Sequence, residues 1–235
     1  MSEYRTNYNS NNLTFNEYLG KVFGKMAIGL AITAVVSFIT SLLFFTFAWA
    51  LGGIYYVFIL ACAIAEIVVA IRLSSKLMYL SKKQCTNLFI LYSVLTGVSL
   101  SGIIMMYAQS TVWLAFGVTA IMFVCMSIIG TRTQTDLSRI SGYMAPALIG
   151  LIVATLLNAL IFRSDMLSWG LTYFGVILFL VIVAFDVQKL RSFYTASFSD
   201  DELKDKLMIM GAFELYLDFI NIFIRVLEIF GRRRD

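Results

Sequence analysis

Histidine is missing from this sequence, proline occurs once, and charged residues fill only 14% of its 235 positions. Without histidine there is no serine–histidine or cysteine–histidine nucleophile, no H-E-x-x-H metal centre and no imidazole to sense pH, so any proton chemistry falls to carboxyl groups. Soluble domains carry nearer a quarter charged residues. The three cysteines, Cys62, Cys85 and Cys125, are single and widely spaced. They suit neither a disulfide framework nor a zinc site and read as small hydrophobes. No glycine-rich phosphate loop, metal-ligand cluster or nucleophile–base pair is visible, so a protein that is not an enzyme, needs no cofactor and binds no nucleic acid is expected.

What the chain has is apolar residues, 60% of the total, gathered into runs long enough to cross about 30 Å of hydrocarbon. These cover roughly 26–47, 53–71, 87–107, 112–130, 144–162, 168–188 and 207–230. The runs lack the ten-residue alternation of barrel strands, and backbone polar groups in lipid must be satisfied within each segment. The expected fold is therefore all-α: a polytopic membrane protein with seven transmembrane helices. Residues 1–21 read as a polar tail, 22–231 as a single transmembrane domain and 232–235 as a short basic tail. The first run is too long, and lacks the small-residue cleavage pattern, for a signal peptide.

Lysine and arginine distribute unequally about these runs. Arg5, Lys21 and Lys25 precede the first; Arg72, Lys76, Lys82 and Lys83 follow the second; Arg132 and Arg139 follow the fourth; Lys189, Arg191, Lys204 and Lys206 follow the sixth. The opposite connections hold only Arg163. The positive-inside rule then places the N-terminus and these loops in the cytoplasm. Seven crossings put Arg232, Arg233 and Arg234 outside, against the same rule; either the last run is re-entrant or the earlier loops outvote the tail.

The seventh run differs in kind. Glu214, Asp218, Asn221, Arg225 and Glu228 interrupt it at spacings that put all five on one stripe roughly 80° wide at 100° per residue. Such a helix either lies at the interface with its stripe in water or stands among other helices with the stripe on a polar pathway. The mixed charge and the broad apolar face favour the second. Ser199 and Glu202 just before it read as a capping box. Charged groups at membrane depth cost of order 2.5–3.5 kcal/mol each, so partners are expected on other helices. The other acidic residues inside runs are Asp186 and Glu66. Asp186 either caps its helix from the interface or joins the stripe. Glu66 either bonds across helices or lines the pathway.

At these residues the chain resembles the Bax inhibitor motif (TMBIM) family, in particular its bacterial branch. The segment from Glu214 through Leu215, Tyr216, Leu217, Asp218, Phe219, Ile220, Asn221 and Ile222 to Phe223, followed by Phe230-Gly231-Arg232, is similar to that family's C-terminal signature. Further likeness runs through Phe185–Leu190, Thr135–Ser138, and Leu91-Tyr92-Ser93 with Gly97. The resemblance implies a bundle whose central C-terminal helix is wrapped by the other six. It also implies a calcium leak across a bacterial cell membrane controlled by pH, with Asp186 and Asp218 as a carboxylate pair that senses protons and weakly holds calcium in transit. Glu66, Asn221 and Glu214 join them as candidate pathway residues, and Arg72 or Lys76 stands where the family has a basic latch. The chain departs from the family pattern at Glu214 and Arg225, usually apolar there, and at Glu228, often basic. The partners to expect are the lipid bilayer, calcium and protons. A regulatory role through another membrane protein, such as a membrane-bound protease, is the alternative, and a proton-coupled transporter a further one.

Overall fold

The computed structural model describes residues 13–51, 54–198 and 200–231. Among the described residues are seven α-helices, α1 (Phe15–Leu51), α2 (Ile54–Ser75), α3 (Lys82–Ile104), α4 (Gln109–Arg132), α5 (Ser138–Leu157), α6 (Asp165–Ala196) and α7 (Asp201–Phe230), with a 3-10 turn at Leu77–Tyr79 and a π turn at Asn158–Phe162. All seven contain stretches long and apolar enough to cross a membrane. Phe38, Trp113 and Leu160 are among the large apolar side chains left on the outside of the bundle, where lipid rather than water is their natural solvent.

The helices begin and end where local chemistry allows, not where hydropathy stops. In α1 the Thr14 hydroxyl accepts from the Glu17 amide at 3.3 Å, while Glu17 Oε2 accepts from the Thr14 amide at 2.7 Å. This reciprocal cap starts the helix at Phe15, inside the segment expected to be a polar tail, and Tyr18 and Val22 are fully buried. Ser81 and Gln84 build the same device at the head of α3. At α7 the cap is Asp200, whose carboxylate accepts from the Leu203 amide at 2.9 Å. Ser199, the expected partner of Glu202 in a capping box, lies outside the described residues, as do Arg232, Arg233 and Arg234. α6 runs to Ala196, well past the end of its apolar run. The ladder of backbone bonds continues after the side chains turn polar.

α7 is the central element. Of its most apolar window 61% is buried, against 11–44% for the other six. It packs on α6, α1, α4 and α3, while α2 lies against α3 and α5 against α6, so four helices touch it directly and two complete the wrap from outside. Aromatic pairs line its sides: Phe89 and Tyr92 of α3 meet Phe213 and Tyr216 edge-on, and Phe116 and Phe123 of α4 meet Phe219. Lys82 at the head of α3 pairs with Asp205.

Close helix approaches rest on particular glycines. A Cβ at Gly97 would sit 2.8 Å from both the Thr33 carbonyl oxygen and Val36 Cβ, so α1 and α3 meet backbone against backbone there. At Gly117, by contrast, a Cβ would meet nothing within 4 Å. Gly97→Ala is expected to lower the thermal unfolding temperature in detergent, at a cost of about 1–3 kcal/mol typical of overpacking, while Gly117→Ala leaves it unchanged.

Candidate functional site

The polar stripe of α7 faces α6, antiparallel to it, and the two helices match group for group. Nearest the basic end of the bundle, Lys189 Nζ pairs with Glu214 Oε1 at 2.6 Å. One turn on, the carboxyl groups of Asp186 and Asp218 stand close enough to act directly on each other. Toward the other end, the Arg225 side chain lies against Gly175, where the missing Cβ makes room for it. Thr172 Oγ1 donates to Glu228 Oε2 at 2.9 Å, and Arg225 Nη1 reaches the same oxygen at 3.4 Å. From Thr172 to Lys189 this seam is about 25 Å long at 1.5 Å rise per residue, most of the thickness of a hydrocarbon core.

The two ends differ in exposure. Asp218 is 5% exposed, and its Oδ2 is buried without a hydrogen-bond partner, as is Glu214 Oε2. Asp186 is partly buried beside them. The charges of Glu214 and Lys189 act on both aspartates, so three carboxyls share a single ammonium. Two carboxyls held together away from water cannot both ionise cheaply and tend to share one proton. Among the described residues no three acidic, cysteine or histidine side chains are grouped to hold an ion. At the opposite end, Arg225, Glu228, Asp165 and Asn158 border an open polar cavity of about 420 Å³.

The other candidates fall elsewhere. Glu66 is half-buried on α2 and does not join the seam. It accepts hydrogen bonds from Ser99 and, at 3.4 Å, from Thr96 on α3. On α7, the Tyr216 hydroxyl shares a 2.6 Å hydrogen bond with Thr33 of α1. Thr33 commits its own proton to the Ser93 carbonyl at 2.9 Å, so Tyr216 is the donor in that pair. Asn221 lies on the stripe, but its amide donates to the Leu217 carbonyl of its own helix at 2.8 Å. Arg72 and Lys76, the expected latch residues, are exposed at the end of α2, and neither forms an ion pair among the described residues. The base that pairs with the acidic stripe beside the aspartates is Lys189, which hydropathy missed because it falls just past the sixth apolar run. Its signal in the sequence is the three-residue step from Asp186, which keeps both on one face of a helix that continues.

The comparisons with known proteins bear on the whole arrangement. A family profile described as "Inhibitor of apoptosis-promoting Bax1" matches residues 15–235. The chain belongs to the Bax inhibitor family. Among its relatives, the inner membrane protein YbhL of Escherichia coli K12 is 39% identical over 225 residues, 92% of each chain. An uncharacterised protein of Borreliella burgdorferi is 36% identical over 224 residues, 94% of each chain, and one of Rickettsia prowazekii is 34% identical over 234 residues, 96% of this chain and 95% of that one.

One neighbour of the cluster shapes its surroundings. Gln188 accepts from the Leu137 amide and donates to the Thr135 carbonyl, both at 2.9 Å. This amide clamp fastens the connection between α4 and α5 onto α6, beside the aspartate pair. Gln188→Ala is expected to release that connection and speed tryptic cleavage after Arg132, with no change in helix content by circular dichroism.

Proposed function

We propose that this Bax inhibitor family membrane protein is a pH-responsive calcium leak of the bacterial cell membrane, gated by Asp186 and Asp218. The observation that carries the reading is the contact between these two carboxyls, one on α6 and one on α7, inside the bundle and next to an oxygen that has no partner. Sharing a proton, the pair ties α6 to α7 and keeps the seam shut. When the shared proton leaves, two negative charges repel across the seam and the tie is lost. The same event leaves an oxygen-only, doubly negative site, the kind a hard cation such as calcium prefers. Two carboxylates supply too few ligands to hold calcium tightly, which suits transit. The basic end of the bundle faces the cytoplasm on this reading, following the lysine and arginine bias, and the pair therefore sits nearer the cytoplasmic side.

The sign of the pH response follows from the shared proton. Acid keeps the pair protonated and the seam closed; rising pH removes the proton and opens it. Calcium flux into vesicles containing only the purified protein is expected to increase with pH. Asp218→Asn, whose amide donates to Asp186 at any pH, is expected to hold the seam shut and flatten that response. Wild-type flux with no pH dependence, or an Asp218→Asn variant with unchanged flux and pH response, would sink the gate. Vesicles that move no calcium at all would point to action through another membrane protein.

A further inference from the structure

Three of the buried side-chain oxygens that lack a hydrogen-bond partner belong to one neighbourhood. They are Tyr18 Oη on α1 and Glu214 Oε2 and Asp218 Oδ2 on α7. Glu214 and Asp218 are one helical turn apart on the same face. The Glu214 charge acts on the Tyr18 hydroxyl and on both aspartates. Buried polar atoms are nearly always satisfied, so unpaired oxygens from two helices beside one another call for an explanation. All are oxygens and two belong to carboxyl groups, which is the donor set of a hard divalent cation. The positive charge that stands there is the Lys189 ammonium, 2.6 Å from Glu214 Oε1.

We propose that Tyr18, Glu214, Asp186 and Asp218 form a divalent-cation site at the basic end of the α6–α7 seam, and that Lys189 is its tethered occupant. The inference rests on the leak reading and adds to it the ligands and a built-in competitor. A lysine ammonium is a compact point charge on a flexible stem, so it satisfies the acidic cluster while no ion is present and leaves when one arrives. It has somewhere to go: Lys189 is one-third exposed and borders a cavity of about 850 Å³ at the basic end, shared with Gln188 and Ser192. With the ammonium withdrawn, Glu214 is free to turn both oxygens toward the aspartates. The ammonium's hold on Glu214 also accounts for why the acidic groups do not form a metal cluster as they stand. Four ligand side chains, with water completing the shell, make a site that fills and empties readily.

The test is calcium flux into dye-loaded proteoliposomes over a series of calcium concentrations. Lys189→Gln removes the competitor and is expected to lower the half-saturating calcium several-fold, while Lys189→Arg, which keeps a cation, stays near wild type. Tyr18→Phe deletes one oxygen that makes no hydrogen bond in the fold. A purely structural role predicts no loss from that change; as a ligand, its removal is expected to raise the half-saturating calcium. If wild type conducts and a folded Lys189→Gln leaves half-saturation unchanged, the site is overturned and the leak reading stands. Should Lys189→Gln fail to fold, Tyr18→Phe decides: a raised half-saturation supports the site and an unchanged one overturns it. If wild type does not conduct, the leak reading itself fails and takes the site with it.

Discussion

A helix that carries Glu214, Asp218, Asn221, Arg225 and Glu228 through a bilayer must have each of those groups met by protein, because lipid offers nothing in exchange for lost water. This requirement organises the molecule. It forces α7 into the middle of the bundle and obliges α6 to run beside it with complementary groups at matching heights. It also explains why Gly175 stands where the Arg225 side chain needs space. The remaining helices shield this pair. α1, α3 and α4 close directly on α7 with aromatic and aliphatic side chains, and α2 and α5 cover the outside.

The faces of α7 are held by different kinds of force. Toward α1 and α3, Tyr216, Thr33 and Ser93 form a neutral hydrogen-bond chain flanked by edge-to-face rings, a packing whose strength does not depend on pH. Toward α6, the polar contacts are made by charged and carboxyl groups, Lys189 with Glu214 and Thr172 with Glu228, whose strength depends on ionisation. α7 is thus seated on α1, α3 and α4 by contacts that do not titrate. Glu66 is held by Ser99 and Thr96 of α3, apart from the α6–α7 seam.

Much of this was legible in the sequence, and the remainder was hidden for identifiable reasons. Length and apolar content gave seven spans, and helical spacing put the acidic and basic groups of α7 on one stripe. Spacing within one helix carries no information about which neighbour that stripe meets, so Asp186 entered through family resemblance and through its place in the interior of a span. Hydropathy ends a segment at the first cluster of charges, whereas a helix ends when its backbone bonds do. That difference concealed both Lys189, on the extension of α6, and Tyr18, on the extension of α1 behind the Thr14–Glu17 cap. Asn221 shows the converse: its register is right for the seam, yet an amide has the choice of bonding its own helix and takes it. At α7 the Asp200 carboxylate holds the Leu203 amide as the cap, and the expected Ser199 lies outside the described residues.

The central position of α7 also bears on how the molecule is made. It follows in the chain the six helices that flank it, so during synthesis the core element is delivered last. Until then Asp186 and Lys189 on the emerging α6 have no counterpart. Only the short stretch 197–200 joins the two helices, which allows them to leave the insertion machinery together as a hairpin with their polar faces already joined. The ring of earlier helices must then stay loose enough to admit that hairpin. Biogenesis thus favours a bundle whose outer helices close late, around a prepaired centre, over one that builds outward from its first span.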